Sequence, residues 1–241
     1  MYNTRIIIPA RYASSRFQGK PLVDLCGTPM ITRVADICSE LLGKDNVFIA
    51  TDDSRIQSVV DAHGYEAIMT GKCLTGTDRV AEAANHIDAD IYINVQGDEP
   101  LINPADIKKV IDTKKQNIDK VVNAYRYLKK DEDASNINIP KVVTTELDNL
   151  VYMSRALIPR CKTDMIYDIK KQVCIYAFTK DELNKFYNFG RKSYLESIED
   201  IEILRFLDLN IPVLMTEVTS ESIAVDCPSD VMLVEQSLKI E

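Results

Sequence analysis

The chain has 241 residues, with 29 lysines and arginines against 37 aspartates and glutamates, and its formal net charge is −8. Its hydrophobic content of 46% and charged content of 27% are typical of globular proteins and exclude a disordered chain. The sequence has neither an apolar run of roughly 18 residues nor a signal-peptide pattern, so we expect a soluble, cytoplasmic protein without a membrane partner. The acidic balance argues against nucleic acid as a partner, because phosphate backbones bind basic surfaces.

The cysteines and histidines exclude several common kinds of site. The six cysteines form no C-x-x-C pair and lack metal-ligand spacing, which predicts reduced thiols. Only two histidines occur, His63 and His86, and neither lies in a recognisable motif. We therefore expect neither a zinc site nor a Ser-His-Asp hydrolase.

The first half of the chain alternates predicted strands with predicted helices. Buried apolar runs predict strands at 5–10, 46–50, 66–69 and 90–95, and helical periodicity predicts helices at 29–38, 54–64, 77–84 and 104–116. Ser54 and Thr77 are the expected N-caps of the second and third helices. This alternation is typical of βαβ units, so we predict an α/β fold with a Rossmann-like, mostly parallel sheet covered by helices on both faces.

The pattern changes after residue 121. Short strands are predicted at 121–125, 142–145, 150–153 and 173–178, without long helices between them and with an exposed connection at 128–139. Helices at 180–189 and 197–209, a strand at 212–215 and a final helix at 229–240 complete the predicted elements. We therefore expect a single domain, residues 1–241, with an inserted antiparallel β arm at about 140–178.

The loop after the first strand is rich in cations, and ligands of such sheets bind beyond the carboxyl ends of the strands. Arg11, Arg16 and Lys20 lie within ten residues of one another and could neutralise a polyphosphate, while small neighbouring residues let backbone amides approach it. An ordinary solvated loop is the alternative. The loop is not a Walker motif, because Pro21 follows Lys20 and Ser14 stands where a glycine is needed.

Two aspartates follow other strand-like runs. Asp98 lies in the segment 96–100, and Asp226 lies in the segment 224–228. Protein-bound Mg²⁺ takes one or two carboxylates and leaves its other positions to phosphates and water, so both aspartates are candidate ligands. A helix-capping acidic turn is the alternative at Asp98. The segment 75–79 offers hydroxyls and a cation at a helix N-terminus, which suits an anion or a base edge, with a plain N-cap as its alternative.

Together these segments resemble the 3-deoxy-manno-octulosonate (Kdo) cytidylyltransferases, also called CMP-Kdo synthetases. The resemblance spans nearly the whole chain and rests on several motifs in the family's order. They are Ile8-Pro9-Ala10-Arg11-Tyr12-Ala13-Ser14-Ser15-Arg16 with Gly19-Lys20-Pro21-Leu22, Ala50-Thr51-Asp52-Asp53, Gly76-Thr77-Asp78-Arg79, Asn94-Val95-Gln96-Gly97-Asp98-Glu99-Pro100, Tyr152-Met153-Ser154-Arg155-Ala156-Leu157-Ile158-Pro159 and Val225-Asp226-Cys227-Pro228-Ser229-Asp230.

The resemblance implies a fold of the nucleotide-diphospho-sugar transferase type and a Mg²⁺-dependent reaction. In that reaction the anomeric hydroxyl of a 3-deoxy-2-ulosonic acid attacks the α-phosphorus of CTP and releases pyrophosphate. It also implies a homodimer built by the β arm. The implied nucleotide-binding residues are Pro9, Ala10, Arg11, Lys20, Thr75, Gly76, Arg79, Gln96 and Gly97. The implied catalytic residues are Arg11, Arg16, Lys20 and Asp98, and the implied metal ligands are Asp98 and Asp226. The candidates for binding the sugar acid are Arg155, Gln172, Tyr176 and Glu202. A surface cation is the alternative at Arg155, and core packing is the alternative at Tyr176.

The match weakens on the sugar side. The family tends to have His and Gly where this chain has Gln172 and Cys174, and Gln where it has Ile203. Such changes predict an altered acceptor pocket, because a site built to hydrogen-bond a hydroxyl rejects analogues that leave its polar groups unpaired. An 8-amino-Kdo or nonulosonic acid acceptor is therefore an alternative to Kdo. A catalytically silent nucleotide-binding protein and a glycosyltransferase are alternatives of other classes.

Overall fold

A computed structural model describes residues 2–13, 17–163, 167–219 and 222–239 of the chain. The strands are β1 Thr4–Ala10, β2 Asp24–Leu25, β3 Thr28–Pro29, β4 Val47–Thr51, β5 Glu66–Met69, β6 Ile91–Val95, β7 Val121–Tyr127, β8 Lys141–Thr144, β9 Leu150–Ser154, β10 Lys170–Phe178 and β11 Val213–Glu217. The helices are α1 Met30–Leu42, α2 Ser54–Ala62, α3 Gly76–Ala84, α4 Pro104–Gln116, α5 Lys180–Asn188, α6 Tyr194–Glu199, α7 Leu204–Asp208 and α8 Pro228–Leu238. None of these helices is long and apolar enough to cross a membrane.

The main sheet is mixed and mostly parallel. Its strands follow the order β11-β7-β10-β6-β1-β4-β5, in which β6, β1, β4 and β5 run parallel to one another and β11 runs parallel to β7. The strand β10 runs antiparallel to both β6 and β7. The strands β8 and β9 extend this sheet antiparallel from β10, and we keep the name β arm for these two strands. The predicted arm at about 140–178 also included β10, which lies inside the main sheet between β7 and β6. The predicted fold class is therefore confirmed.

Helices cover both faces of the sheet, and the alternation of side chains along β1 shows why. Ile6 and Ile8 face one layer and pack in a cluster with Val34 of α1 and Val110 of α4. Ile7 points the other way, into a second cluster built with α3, α5 and α7. A strand buried on both sides needs apolar residues at consecutive positions, which explains the unbroken apolar run in the sequence.

Two predicted helix caps are wrong by one or two residues. Asp53, not Ser54, caps α2, because its carboxylate accepts a hydrogen bond from the amide of Arg55 at 3.0 Å. Thr75, not Thr77, caps α3, and its hydroxyl accepts from the amide of Asp78 at 3.1 Å. In both cases the capping oxygen must lie one residue before the first helical position, where the backbone is extended.

The single helix predicted at 197–209 is wrong as well. Asp200 adopts a left-handed conformation with φ +50° and ends α6, and the chain then turns into the separate helix α7. This break leaves the carbonyls of Glu199 and Asp200 available to accept hydrogen bonds from the guanidinium of Arg155. A period-based prediction misses it because Asp200 is surrounded by residues compatible with a helix.

Candidate functional site

A cleft of about 760 Å³ opens beyond the carboxyl ends of β1 and β6. The nine residues that the sequence analysis assigned to the nucleotide all line this cleft, and so do Asp98, Asp226, Arg155 and Glu202. They come from segments up to 217 positions apart in the sequence, between Pro9 and Asp226. The topology rule for parallel sheets therefore predicted the place of the cleft. Arg16 lies outside the described residues.

Lys20 follows a loop whose described ends, Tyr12 and Gly19, are joined by a hydrogen bond. Gly19 has φ +72° and donates its amide to the carbonyl of Tyr12 at 2.9 Å, and a 3₁₀ turn begins at Lys20. A Cβ atom at Gly19 would lie 3.2 Å from the Tyr12 ring, so both the conformation and the space favour glycine. The loop thereby points the Lys20 ammonium at Asp98, with 2.7 Å between Nζ and Oδ2.

The two candidate metal ligands face the same cation. Lys20 Nζ lies 2.7 Å from Asp98 and 3.5 Å from Asp226, so the two carboxylates flank one positive centre. The backbone joins them too, because the amide of Val225 donates to the Asp98 carbonyl at 2.9 Å. No cluster of three or more acidic, histidine or cysteine ligands occurs in the described ranges. The pair therefore fits Mg²⁺ only as a partial set of hard oxygen donors that substrate phosphates and water complete.

Glycine lets the end of β6 approach β1 closely. A Cβ atom at Gly97 would lie 2.9 Å from Ile31 Cδ1 and 3.2 Å from the carbonyl of Pro9. A larger residue would push the segment 96–98 away from the end of β1. Gly97 therefore allows the end of β6 to lie against the end of β1, and this keeps its neighbours Gln96 and Asp98 at the cleft.

The N-terminus of α3 is occupied by a protein carboxylate. Glu202 accepts hydrogen bonds from the amides of Gly76 at 3.0 Å and Thr77 at 2.8 Å. Burial raises the pKa of Glu202, and these amide donors act in the opposite direction. The segment 75–79 therefore lines the cleft, but its first helical amides already bind an anion supplied by the chain. Glu202, predicted to contact the sugar acid, holds this segment in place.

Arg155 lines the cleft while donating to three backbone carbonyls. Its guanidinium binds the carbonyls of Ile137 and Asp200, both at 2.9 Å, and also that of Glu199. The Glu199 carboxylate in turn accepts the amide of Arg155 at 2.8 Å. Arg155 therefore fastens the connection after β7 and the end of α6 to the β arm. Three of its five N–H groups are committed to this role.

Gln172 and Tyr176 do not line the main cleft. Gln172 lines a second cavity of about 250 Å³ that shares Asp98, Asn138 and Asp226 with the cleft. Its Nε2 donates to Asn123 Oδ1 at 3.0 Å and to the Tyr176 hydroxyl at 3.3 Å. Tyr176 is only 5% exposed and packs in the core.

The second cavity is lined by a half-buried carboxylate. Glu99 Oε2 accepts a hydrogen bond from Ser222 at 2.5 Å, and burial together with the Asp98 charge raises the pKa of Glu99 to about 7. Arg126 and Lys171 also line this cavity, at 2.7 Å and 2.5 Å from the carboxylate of Glu132. The cationic side chains of this cavity are therefore already paired with an acid.

Glu132 makes a pH-dependent contribution to stability. Burial alone would raise the pKa of Glu132, but hydrogen bonds from Arg126, Lys129 and Lys171 lower it from 4.5 to about 2. Because the folded pKa is depressed, this contribution is complete above pH 4.5 and is lost as the pH falls to about 2. We expect Glu132→Gln to lower the thermal midpoint at pH 7 but much less at pH 3. Equal losses at both pH values would contradict this assignment, and the exposed Glu146→Gln is the control.

Sequence reasoning missed three charged residues on the cleft wall. Lys192, Glu196 and Asp200 all line the cleft, and Lys192 Nζ lies 2.6 Å from Asp200 Oδ1. A signal for Glu196 existed, because Ser193 and Glu196 form a capping box at the start of α6. Nothing local, however, indicated that α6 would face the nucleotide segment.

The chain is similar to known cytidylyltransferases over nearly its whole length. A family profile described as cytidylyltransferase matches residues 5–215. The chain is 38% identical to a 3-deoxy-manno-octulosonate cytidylyltransferase of Myxococcus xanthus, over 98% of this chain and 96% of the relative. It is 36% identical to an 8-amino-3,8-dideoxy-manno-octulosonate cytidylyltransferase of Shewanella oneidensis, over 99% and 100%. A solved CMP:2-keto-3-deoxy-manno-octonic acid synthetase complexed with CTP has a TM-score of 0.92 at 35% identity, covering 99% of both chains.

Proposed function

Since the chain belongs to the family of 3-deoxy-manno-octulosonate cytidylyltransferases, we propose that it couples CTP to a 3-deoxy-2-ulosonic acid, Kdo or a Kdo-like sugar. The anomeric oxygen of the acid forms a bond to the α-phosphorus, the bond to the β-phosphate breaks, and the hydroxyl proton passes to solvent. The products are a CMP-sugar and pyrophosphate. One observation carries the proposal: a single cleft gathers Lys20, the Asp98–Asp226 pair and the segment 75–79 at the strand ends.

The cleft offers positioning and charge neutralisation, which are the main requirements of phosphoryl and nucleotidyl transfer. Arg11 and Lys20 would neutralise the triphosphate, and Gly76 and Gln96 would face the nucleoside. Asp98 and Asp226 would hold Mg²⁺, which when bound neutralises phosphate charge and acidifies the attacking hydroxyl. Lys20, now between the two carboxylates, would then turn to the phosphates. A histidine base is unnecessary in this scheme, in keeping with a chain of two histidines.

Pyrophosphate release is the direct test. The protein is incubated with CTP and Mg²⁺ and with Kdo, 8-amino-Kdo, a nonulosonic acid or no sugar. Release with one of the acids and none without sugar is the expected result. CTP binding without release on any acid would favour a non-catalytic nucleotide-binding protein, and sugar transfer from a nucleotide-sugar without pyrophosphate would favour a glycosyltransferase.

The second cavity favours 8-amino-Kdo as a second candidate acceptor. The Glu99 carboxylate and the Gln172 side chain line this cavity next to Asp98. Carboxylate and amide oxygens bind the ammonium group of an amino sugar more strongly than they bind the hydroxyl of Kdo at the same position, because the ammonium is charged. A relative with this acceptor in its name is 36% identical to the chain. We expect Gln172→His to shift the ratio of kcat/KM values from 8-amino-Kdo towards Kdo by about tenfold, which corresponds to about 1.4 kcal/mol.

The matched control for this variant is Gln116→His at the exposed end of α4, which should leave the ratio unchanged. An unchanged ratio in Gln172→His would remove residue 172 from acceptor selection.

We also propose that the protein lies in the cytoplasm. All six cysteines are free thiols, as in proteins of a reducing compartment.

We also propose that the chain acts as one domain and forms a homodimer through the face of the β arm. Large apolar side chains are exposed there: Val151 on β9 is 54% exposed, and Tyr194 and Ile198 on α6 are 73% and 62% exposed. The two elements are adjacent, because the Ser154 hydroxyl donates to the Glu199 carboxylate at 2.7 Å. Exposed large apolar side chains on two adjacent elements are the kind of surface that a second copy of the chain could cover.

Ile198→Glu is expected to convert the dimer into monomers, because a carboxylate buried without a partner is costly. Sedimentation at micromolar concentration would then give a mass near the 27.2 kDa of one chain, against twice that mass for the unaltered protein. Met232→Glu on α8, where residue 232 is also 62% exposed, is the control that should remain dimeric. A monomeric unaltered protein would refute the dimer.

A further inference from the structure

Two walls of the cleft are far apart in sequence but directly connected. We call residues 75–79 the nucleotide wall and residues 192–202 the acceptor wall. Both contribute side chains to the cleft, among them Thr75, Arg79, Glu196 and Glu202. The connection between them runs through a residue behind the cleft, Arg205.

Arg205 binds one carboxylate from each wall. Its NH1 and NH2 atoms donate to the two oxygens of Asp78 at 2.7 Å and 3.0 Å. Its Nε and NH2 atoms donate to the two oxygens of Glu196, both at 2.7 Å. A further bond from NH1 to the carbonyl of Phe186 at 3.3 Å completes the set, so all five N–H groups have an acceptor.

Further hydrogen bonds hold both carboxylates within their walls. On the nucleotide wall, the Thr75 hydroxyl donates to the Asp78 carboxylate at 2.7 Å. On the acceptor wall, the Glu196 carboxylate accepts the amide of Ser193 at 2.9 Å. Glu202 adds a second connection through its bonds to the amides of Gly76 and Thr77. A displacement of one wall must therefore be accommodated by the other.

The energetics of this bridge favour a geometric role. Arg205 is 0% exposed, and the Asp78 and Glu196 side chains are only 5% and 1% exposed. Buried ionic groups of this kind are often no more stabilising than apolar residues of the same shape, because their desolvation is costly. A planar guanidinium can nevertheless bind two carboxylates at once, each through a pair of hydrogen bonds along one of its edges, which a lysine ammonium cannot do. The arrangement determines the relative position of the two walls.

We propose that Arg205 is a positioning residue that couples the two substrate sites, so that the sugar acid tightens binding of the nucleotide and the nucleotide tightens binding of the sugar acid. The inference rests on the proposed function for the identity of the two ligands. Binding of the acceptor orders the acceptor wall, and the bridge passes that ordering to the nucleotide wall. Because the coupling is thermodynamic, it is the same in both directions.

Calorimetry measures this coupling directly. The dissociation constant of the non-reactive α,β-methylene analogue of CTP is measured with Mg²⁺, with and without a saturating sugar acid from the pyrophosphate panel. We expect the acid to tighten binding at least about 5-fold in the unaltered protein, within the usual range of coupling between sites. Arg205→Lys keeps the charge, but a lysine ammonium cannot bind two carboxylates with paired N–H groups. In this variant the factor by which the acid tightens binding of the analogue should fall to about 1, with each ligand still binding.

The matched control is another buried ion pair. Lys114 is fully buried and lies 2.8 Å from Glu182, joining α4 to α5 outside the residues that line the cleft. Lys114→Arg is the same kind of charge-conserving exchange and should destabilise the fold without changing the coupling factor. Glu196→Gln, which removes one acceptor and no cation, serves if Arg205→Lys does not fold, and it should also lower the factor.

Four outcomes would overturn the inference. Full coupling in both Arg205→Lys and Glu196→Gln would show that the bridge does not carry it, and an equal loss in Lys114→Arg would show a general effect of stability. Independent binding of the two ligands to the unaltered protein would refute coupling while leaving the proposed reaction intact. Failure of every acid to bind the unaltered protein would refute the proposed acceptor class, and this inference with it.

Discussion

Replacing Asp98 by asparagine is expected to lower kcat by about 10³-fold and to leave the fold intact. The Asp98 side chain, 30% exposed, contributes one of the two carboxylates that flank Lys20, and asparagine removes its charge while keeping its shape. The change weakens the ion pair with Lys20, but the backbone carbonyl still accepts from the amide of Val225 at 2.9 Å. The measurement is pyrophosphate release at saturating CTP, sugar acid and Mg²⁺, together with thermal unfolding by circular dichroism.

The metal assignment also predicts a change in the Mg²⁺ dependence of the same variant. Asparagine keeps one oxygen ligand, so the Mg²⁺ concentration that supports half of the remaining activity should rise. Asp112→Asn, at an exposed residue of α4 paired with Lys108 at 2.5 Å, is the control and should retain full activity. Activity close to that of the unaltered protein in Asp98→Asn, or full activity in excess chelator, would remove Asp98 and Mg²⁺ from the reaction.

Replacing Arg205 by methionine is expected to reduce the free energy of unfolding by about 3–5 kcal/mol. The change leaves Asp78 and Glu196 buried side by side without their shared cation, and water cannot reach either carboxylate freely. It also removes the contact of the guanidinium with the Phe186 ring, whose centroid lies 3.7 Å from Cζ. Urea unfolding at pH 7 measures the loss, which is a large share of the stability of an ordinary domain.

An exposed ion pair provides the comparison for this variant. Lys185 and Asp181 on α5 are 57% and 73% exposed and 2.6 Å apart, and pairs of this kind contribute little because water and salt screen them. Lys185→Met should therefore change the free energy of unfolding by no more than about 0.5 kcal/mol. A loss below about 1 kcal/mol in Arg205→Met would mean that Asp78 and Glu196 adjust to the loss of their cation at little cost. That result would also weaken the case for coupling.

The sheet could be predicted from the sequence because its signals are local. The apolar runs at β1, β4 and β6 indicated buried strands, and the spacing between them indicated parallel crossovers. The errors arose where a single backbone conformation decides the outcome, as at Asp200 with φ +50°. Hydrophobic periodicity carries no information about such a position, because a left-handed residue can interrupt a helix without changing the pattern.

The nucleotide side of the cleft could also be predicted, but the acceptor side could not. Residues such as Lys20, Gly76 and Gln96 lie in short motifs just after strands, and the direction of parallel strands brings their ends to one edge. Gln172 and Tyr176 were assigned to the sugar from a resemblance whose local motif had changed, and they lie beside the cleft or within the core. Which residues contact the acceptor depends on how α6, the β arm and the connection after β7 meet.

The sequence by itself determined the family, the α/β fold and the strand-end motifs, since each is encoded by neighbouring residues or by motifs in a fixed order. Only the tertiary structure decided that Glu202 occupies the start of α3, that Arg155 fastens three backbone segments, and that Arg205 joins the two walls. The physical reason is the distance along the chain over which these contacts form. Arg205 meets one carboxylate 9 residues away and another 127 residues away, and folding alone brings the three together in a site that excludes water.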